Sequence, residues 1–396
     1  MSMSLQGIRV LDLSRVLAGP YCSMILADLG ADVTKVEAPG GSDETRQWGP
    51  PYQEGVSAYY LCANRNKRSL TVDLKSKEGK RIIEQLVENS DVVLHNFRTG
   101  KMERLGLGYE QLKSINEQIV YCSITGFGET GPYAHLPGYD YIIQAMSGLM
   151  SITGDEQSGP QKLGVAITDV LTGLYACIGI QAAFIQRERT GQGQQIDLSL
   201  YDCAISSLVN IASNYLMSGH VPQRLGKYHA NIAPYQSLQT ADGEMVIAVG
   251  NDKQFNKLCK LIGKEELAND KRFKTNSDRV YYRKELETIV EQQWKRKTTA
   301  EWQHLCRAHS IPTGPIQAID QVMEDPQVQA RDMLLSTNHP KAGRFHMVGS
   351  PLKLSESPIT MRRHPPEPGE HTGDILQSLG YTREAIERFK KQGIID

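Results

Sequence analysis

Cysteine is sparse, seven residues in 396. The number is odd, the spacing is irregular and no Cys-x-x-Cys pair occurs. That excludes a disulfide framework and a structural zinc site, and it points to a reducing compartment. No His/Cys/Asp/Glu cluster has metal-ligand spacing, so no metal centre is expected. Neither sign of charge is in excess: the formal net charge is -1. This gives no reason to invoke nucleic acid or an anionic membrane as partner. There is no internal repeat, no low-complexity tract and no Gly-x-Ser-x-Gly elbow. The first residues run straight into a strand pattern without a signal or transit segment, so a soluble, cytoplasmic chain is expected. One long apolar run exists, residues 170–185, but it is too short and too broken by glycine for a membrane span. Forty per cent of the residues are hydrophobic, enough for a large core, and the length calls for more than one.

What is present is alternation. Residues 8–13, 32–37, 69–74, 91–96 and 118–124 read as strands, with helices at 19–27, 77–88 and 109–115 between them. Such alternation predicts an α/β fold with a doubly wound, mostly parallel, Rossmann-like sheet. Ligands of such sheets bind beyond the carboxyl ends of the strands. Those ends carry residues 14–16, 37–39, 96–98 and 125–128, which should therefore face one crevice. A helix at 139–150, the apolar run, a strand at 195–200 and a helix to about Met217 follow. Residues 218–233 carry Gly219, Pro222 and Gly226 and suit a linker. A hairpin over 235–250, turning at Asp242-Gly243, and helices at 253–262, 280–295 and 299–309 form a second, smaller α/β domain. The expected domains are 1–220, 221–330, and a C-terminal stretch 331–396 that returns to the large domain. Its tail, 374–393, reads as an amphipathic helical segment.

The apolar run follows a lone acid, Asp169, behind Thr168. A run of that length without alternation predicts a helix buried on nearly all sides. An acid at its mouth is either a cap taking backbone N–H bonds or a nucleophilic carboxylate on a rigid element. The first strand-to-helix turn argues against a nicotinamide dehydrogenase, although Glu37 ends the second strand where an acid would grip a ribose. The turn reads Leu17-Ala18-Gly19-Pro20, and without the Gly-x-Gly-x-x-Gly glycines the backbone cannot approach a pyrophosphate. Arg65, Lys67 and Arg68 precede the third strand, Lys75 follows it, and Arg98, Lys101 and Arg104 follow the fourth. Cations at several strand ends favour a phosphate-rich ligand; the alternative is a solvated cationic surface.

Taken together, certain stretches carry a family resemblance: GIRVLDLSRVLAGP at 7–20, LGADVTKVE at 29–37, NKRS at 66–69, NFR at 96–98, GFGETGP at 126–132, PGYD at 137–140, QAMSG at 144–148, TGQG at 190–193 and GEHT at 369–372. The chain resembles the class III CoA-transferases, the family of formyl-CoA transferase and carnitine CoA-transferase, over essentially its whole length. The resemblance implies an interlocked homodimer and makes Asp169 the carboxylate that becomes acylated. It places Val16, Leu17, Ala18, Val72, Lys75, Asn96, Phe97, Arg104 and Tyr139 where relatives hold CoA. CoA and acyl-CoA then enter as substrates, with no permanently bound cofactor. Two departures turn away from a formyl or oxalate substrate. Ala38 stands where formyl-CoA transferase has an arginine for the CoA nucleotide, and the single Gly250 stands nearest to its run of shielding glycines.

Residues 43–51, 63–67, 231–236 and 250–255 look most like the glutarate-type members, which move CoA between dicarboxylic acids. A dicarboxylate bound at one end needs a cation for the other. Arg65, Arg46 and His229 are the candidates, with Gly250 beside the reacting group. Acyl-CoA racemases share the fold and an acid at this position, but their partner histidine lies in a Gly-His-Asp segment. Gly138-Tyr139-Asp140 offers a phenol of pKa about 10, a poor proton shuttle at neutral pH. The expected reaction is transfer of CoA from an acyl-CoA to a short dicarboxylic acid such as succinate or glutarate. It proceeds through an aspartyl mixed anhydride and an aspartyl-CoA thioester. A racemase of the same fold and a non-catalytic CoA-binding protein are the alternatives.

Overall fold

The computed structural model describes residues 2–396. Six strands form the central sheet: β1 (Arg9–Asp12), β2 (Asp32–Glu37), β3 (Lys67–Thr71), β4 (Val92–His95), β5 (Val120–Thr125) and β6 (Gln195–Ser199). Their order is β3-β2-β1-β4-β5-β6, and every neighbouring pair is parallel. The expected doubly wound α/β sheet is thus present, and its order reverses between β1 and β4. Strands covered on both faces read as near-continuous apolar runs. β4 is Val-Val-Leu-His and all four residues are buried.

Two compact units divide the chain. The large unit holds the residues up to Gly148, then Leu163–Leu208 and Pro326–Asp396. Its core joins Leu11, Val36, Leu70, Val93 and Tyr121 of the sheet to Ile375, Leu376, Ile386, Phe389 and Ile395 near the C-terminus. The small unit holds Leu149–Lys162 and Val209–Asp325, so residues 209–220 group with it rather than with the sheet. Its antiparallel hairpin Tyr235–Gln239/Glu244–Ala248 is extended by Thr313–Pro315. Helices Asp252–Leu261, Arg283–Trp294 and Thr299–Ala308 cover it, with Trp294 and Trp302 stacked at 4.3 Å.

Several element bounds move for identifiable reasons. β3 ends at Thr71 rather than at 74, because the Asp73 N–H turns to the Ile394 carbonyl of the tail (2.8 Å). The tail itself is two helices, Thr372–Ser378 and Arg383–Lys391, broken at Gly380 (φ 88°). The helix expected at 139–150 is broken after Met146, with Gly148 at φ 93°. The long helix runs Ile167–Thr190 and stops at Gly191 (φ 72°). It is the one described helix long and apolar enough to cross a bilayer. Thr172, Gly173, Ala176, Ile180 and Ala183 are buried, and the helix packs on the first helix, Ala18–Asp28. It is not buried on nearly all sides, as its sequence suggested: Ile178 is 62% and Ile185 55% exposed.

Candidate active site

Asp169 lies in the first turn of the long helix, three residues past the N-cap, Ala166. It therefore does not cap its own helix. Its carboxylate instead faces the N–H of Ala18, which favours the ionised form. Ala18 opens the first helix, whose N-terminus has no side-chain cap. Two helix N-termini, each a positive dipole end, thus meet at one carboxylate. Only glycine permits the crossing that brings them together. A Cβ on Gly173 would lie 2.8 Å from the Ala18 carbonyl oxygen.

Asp140 fixes the start of the long helix. Its Oδ1 accepts from the Thr168 N–H (2.9 Å) and hydroxyl (2.8 Å), and its Oδ2 accepts from Gln144 Nε2 (2.7 Å). Gln144 Oε1 in turn accepts from the Leu163 N–H (2.9 Å). Burial first, and then the Asp140 charge, push the Asp169 carboxyl up to about 7, against the opposing pull of the Ala18 N–H. The group is therefore part-ionised at neutral pH, and its ionised form is a poorly solvated carboxylate. Tyr59 feels the same charge: burial, then Asp169, push its phenol up to about 12, so it remains a donor. Trp48 packs edge-on against the Tyr59 ring at 5.1 Å.

Asp169 opens into a cavity of about 150 Å³ lined by Arg15, Val16, Ala18, Asn96, Phe97, Arg98 and Tyr139. All of these but Tyr139 follow β1 and β4, the two strands between which the sheet order reverses. That is where ligands of such sheets bind. Asn96 clamps the main chain of Arg15, accepting from its N–H (2.9 Å) and donating to its carbonyl (2.7 Å). Val16 sits at φ 68°, a strained conformation for a β-branched residue. Its N–H is held by Asp43 Oδ1 (3.1 Å). Despite burial, Lys35 holds Asp43 itself down at about 2. Gly126 and Gly138 press backbone on backbone, a Gly126 Cβ falling 2.6 Å from the Gly138 Cα. This contact sets the segment leading to Tyr139 against the end of β5.

Of the residues expected to hold CoA, Val16, Ala18, Asn96, Phe97 and Tyr139 line this cavity, and Leu17 is the N-cap of the first helix. Val72, Lys75 and Arg104 are not among the lining residues: Val72 is buried in the core, while Lys75 and Arg104 are exposed. The cations expected to read a distal carboxylate are committed elsewhere. Arg65 forks onto Asp28 (Nε–Oδ1 3.0 Å, Nη2–Oδ2 2.6 Å) and donates to the Val348 carbonyl (2.9 Å). Arg46 forks onto Glu37, with Nη2–Oε1 at 2.6 Å, and lies 3.7 Å over the Tyr60 ring. Lys67 and Arg68, expected near a phosphate ligand, pair with Asp12 (3.3 Å) and Asp32 (2.7 Å). The physical reason is burial: a charge removed from water needs an opposite partner.

His229 and Gly250 belong to the small unit. His229 Nδ1 accepts from the Asn231 N–H (3.1 Å), and the Gly250 N–H donates to Gln254 Oε1 (2.8 Å). Sequence reasoning assigned no role at this site to Tyr59, Asp140 or Gly173. Only Asp140, within the PGYD motif, left a signal. Among the described residues no His/Cys/Asp/Glu group is placed to hold a metal ion, and all seven cysteines are free.

A doubly wound parallel sheet with a carboxylate at its switch point defines the architecture. Residues 5–372 match CoA-transferase family III, and the chain belongs to that family; it is a class III CoA-transferase. It is 45% identical over 390 residues to the succinate–glutarate CoA-transferase of Agrobacterium fabrum, covering 97% of this chain and 96% of that protein. It is 43% identical over 393 residues to the succinyl-CoA:glutarate CoA-transferase of Mus musculus, covering 99% and 90%. Among solved structures it resembles a CAIB/BAIF family protein from Brucella suis, with a TM-score of 0.84 and 45% identity, covering 96% of this chain and 100% of that one.

Proposed function

We propose that this enzyme moves CoA from an acyl-CoA such as succinyl-CoA to a short dicarboxylic acid such as glutarate, with Asp169 as the group that carries first the acyl and then the CoA. The observation that carries the reading is the poorly solvated Asp169 carboxylate facing the Ala18 N–H in the switch-point cavity. The names of the relatives at 43–45% identity supply the acid class.

The ionised carboxylate attacks the thioester carbonyl, and the carbon–sulfur bond breaks to give a mixed anhydride and CoA thiolate. The thiolate attacks the aspartyl carbonyl, freeing the donor acid and leaving an aspartyl-CoA thioester. The acceptor carboxylate attacks that thioester, releasing the thiolate and forming a second anhydride. The thiolate then takes the acceptor acyl group, and Asp169 is a carboxylate again. In each step the Ala18 N–H is positioned to stabilise charge on the aspartyl oxygen. Val16, Leu17, Asn96, Phe97 and Tyr139 surround the CoA arm, and Lys75 and Arg104 supply cations for its phosphates. Arg98, which lines the cavity, is the cation open to the distal carboxylate of the acid, since Arg65 and Arg46 are ion-paired in the interior and Arg15 is paired with Glu44 (2.8 Å). The racemase alternative finds no support in Asp140, whose two oxygens are committed to Thr168 and Gln144.

The enzyme works in this reading as an interlocked homodimer in the cytoplasm. Free cysteines support the compartment. The exposed Leu174, Tyr175, Ile178 and Ile185 of the long helix support a second chain, because apolar faces of that size mark association. The test is to mix succinyl-CoA with a panel of mono- and dicarboxylic acids and to follow new thioesters by mass. Glutaryl-CoA should form with wild type and not with Asp169→Asn. Preference for monocarboxylates would overturn the acid class, and transfer by Asp169→Asn would overturn the mechanism.

A further inference from the structure

The edge strand β3 is flanked by a returning segment of the C-terminal region. The Asn66 N–H donates to the Arg363 carbonyl (3.0 Å), and the Arg363 N–H donates back to Asn66 Oδ1 (3.0 Å). The His371 N–H reaches the Ser69 carbonyl (3.0 Å), and the Ser69 N–H reaches His371 Nδ1 (3.2 Å). Arg363 and His371 are thereby pinned along the strand. They line a cavity of about 320 Å³ together with Thr337, Asn338, Arg362 and His364. It shares no lining residue with the Asp169 cavity.

Hydrogen-bond donors dominate this cavity, and no carboxylate lines it. Arg362 Nη2 is fixed by the carbonyls of Ala27 (2.6 Å) and Ala31 (3.2 Å), leaving the rest of its guanidinium available. Among the described residues the Arg363 side chain makes no hydrogen bond or ion pair. His371 Nδ1 accepts from a backbone N–H, so the proton of the neutral ring sits on Nε2 and can be donated. The carboxylates within electrostatic reach are taken. Glu370 faces His364 (3.3 Å), Asp32 holds Arg68 (2.7 Å) and Asp28 holds Arg65 (2.6 Å). Burial first, and then Arg363, depress Arg362 below its usual value. Two exposed guanidinium groups side by side repel each other, offset in part by Asp32 and Asp28, and a bound anion relieves the remaining repulsion.

The geometry points to a second ligand site: this cavity binds a phosphoryl oxyanion, either inorganic phosphate or the phosphomonoester of a larger molecule, with Arg363 as its forked contact and His371 Nε2–H as a further donor. A dianionic tetrahedral group matches two arginines and several donors better than a single carboxylate does. The site takes no part in CoA transfer.

Calorimetric titration of the full-length protein with inorganic phosphate, with the transfer site saturated by CoA, tests the proposal. Wild type should bind phosphate saturably at one site. Arg363→Gln should weaken binding about ten- to a hundredfold, with CoA-transfer turnover unchanged. Arg363→Lys should retain part of the affinity, since it keeps the charge and loses the fork. Ribose 5-phosphate distinguishes the sources. Tighter binding than phosphate, lost in Arg363→Gln, assigns the site to a phosphomonoester; equal or weaker binding assigns it to inorganic phosphate. Absence of saturable phosphate binding by wild type, or wild-type affinity in Arg363→Gln, would overturn the proposal.

Discussion

Asp169→Asn should do two opposite things: abolish transfer and stabilise the fold. The Asp169 carboxyl ionises at about 7 in the folded chain, against 3.8 for the free group. At about 1.4 kcal/mol per tenfold, that gap corresponds to about 4 kcal/mol. Asp169 is only half-buried, and solvent at the cavity mouth screens the effect to about 1–2 kcal/mol. The sign follows from linkage. An acid whose folded pKa is raised binds its proton more tightly when folded. It therefore costs nothing where both states are protonated, below about pH 4. The cost grows between about pH 4 and 7, and is complete above about pH 7. Asparagine keeps an oxygen that accepts the Ala18 N–H, so the geometry survives the change. The assay is urea unfolding of wild type and Asp169→Asn at several pH values between about 4 and 8.5. Titrating groups that do not interact with Asp169 cancel in the difference. The variant should gain about 1–2 kcal/mol over wild type across that range. A difference that stays flat with pH, or one in which wild type gains, refutes the reasoning that this carboxylate is held against desolvation.

Incubation with acyl-CoA, then hydroxylamine or borohydride treatment, should mark the peptide containing Asp169; a mark on Cys177 or Cys203 would indicate a thiol route. Arg65→Ala should cost about 3–5 kcal/mol, because it leaves Asp28 buried without its partner. Unchanged urea stability of that variant would show that the pair carries no such role. Gly173→Ala should displace the first helix, moving the Ala18 N–H from Asp169 and lowering kcat about tenfold or more. Wild-type turnover in this variant would mean that the close crossing does not position the N–H.

Much of the fold was legible because it rests on local periodicity. β2 and the helix Tyr109–Ile115 fall where the pattern of apolar residues put them, and the hairpin turn at Asp242-Gly243 follows from its turn residues. Asp169 was visible too, as a lone acid opening an apolar run. The sequence by itself determined the sheet class, the long helix and the acid at its mouth. The family motifs raised the expectation that residues 16–18 and 96–97 hold CoA, and residues 16, 18, 96 and 97 line the Asp169 cavity. Only the tertiary structure decided which charges are free. Arg65 and Asp28 are 37 residues apart and become one buried fork, and Arg15 pairs with Glu44, while Arg98, no more prominent in sequence, lines the cavity. Asp140 and Thr168, 28 residues apart, meet to set the helix start. The approach of Ala18 to Asp169 depends on one glycine in the helix crossing. Periodicity is a property of neighbours along the chain. The pairing of a charge and the pKa of a carboxylate belong to neighbours in space, where lost solvation forces each buried charge to find a partner or give up its ionisation.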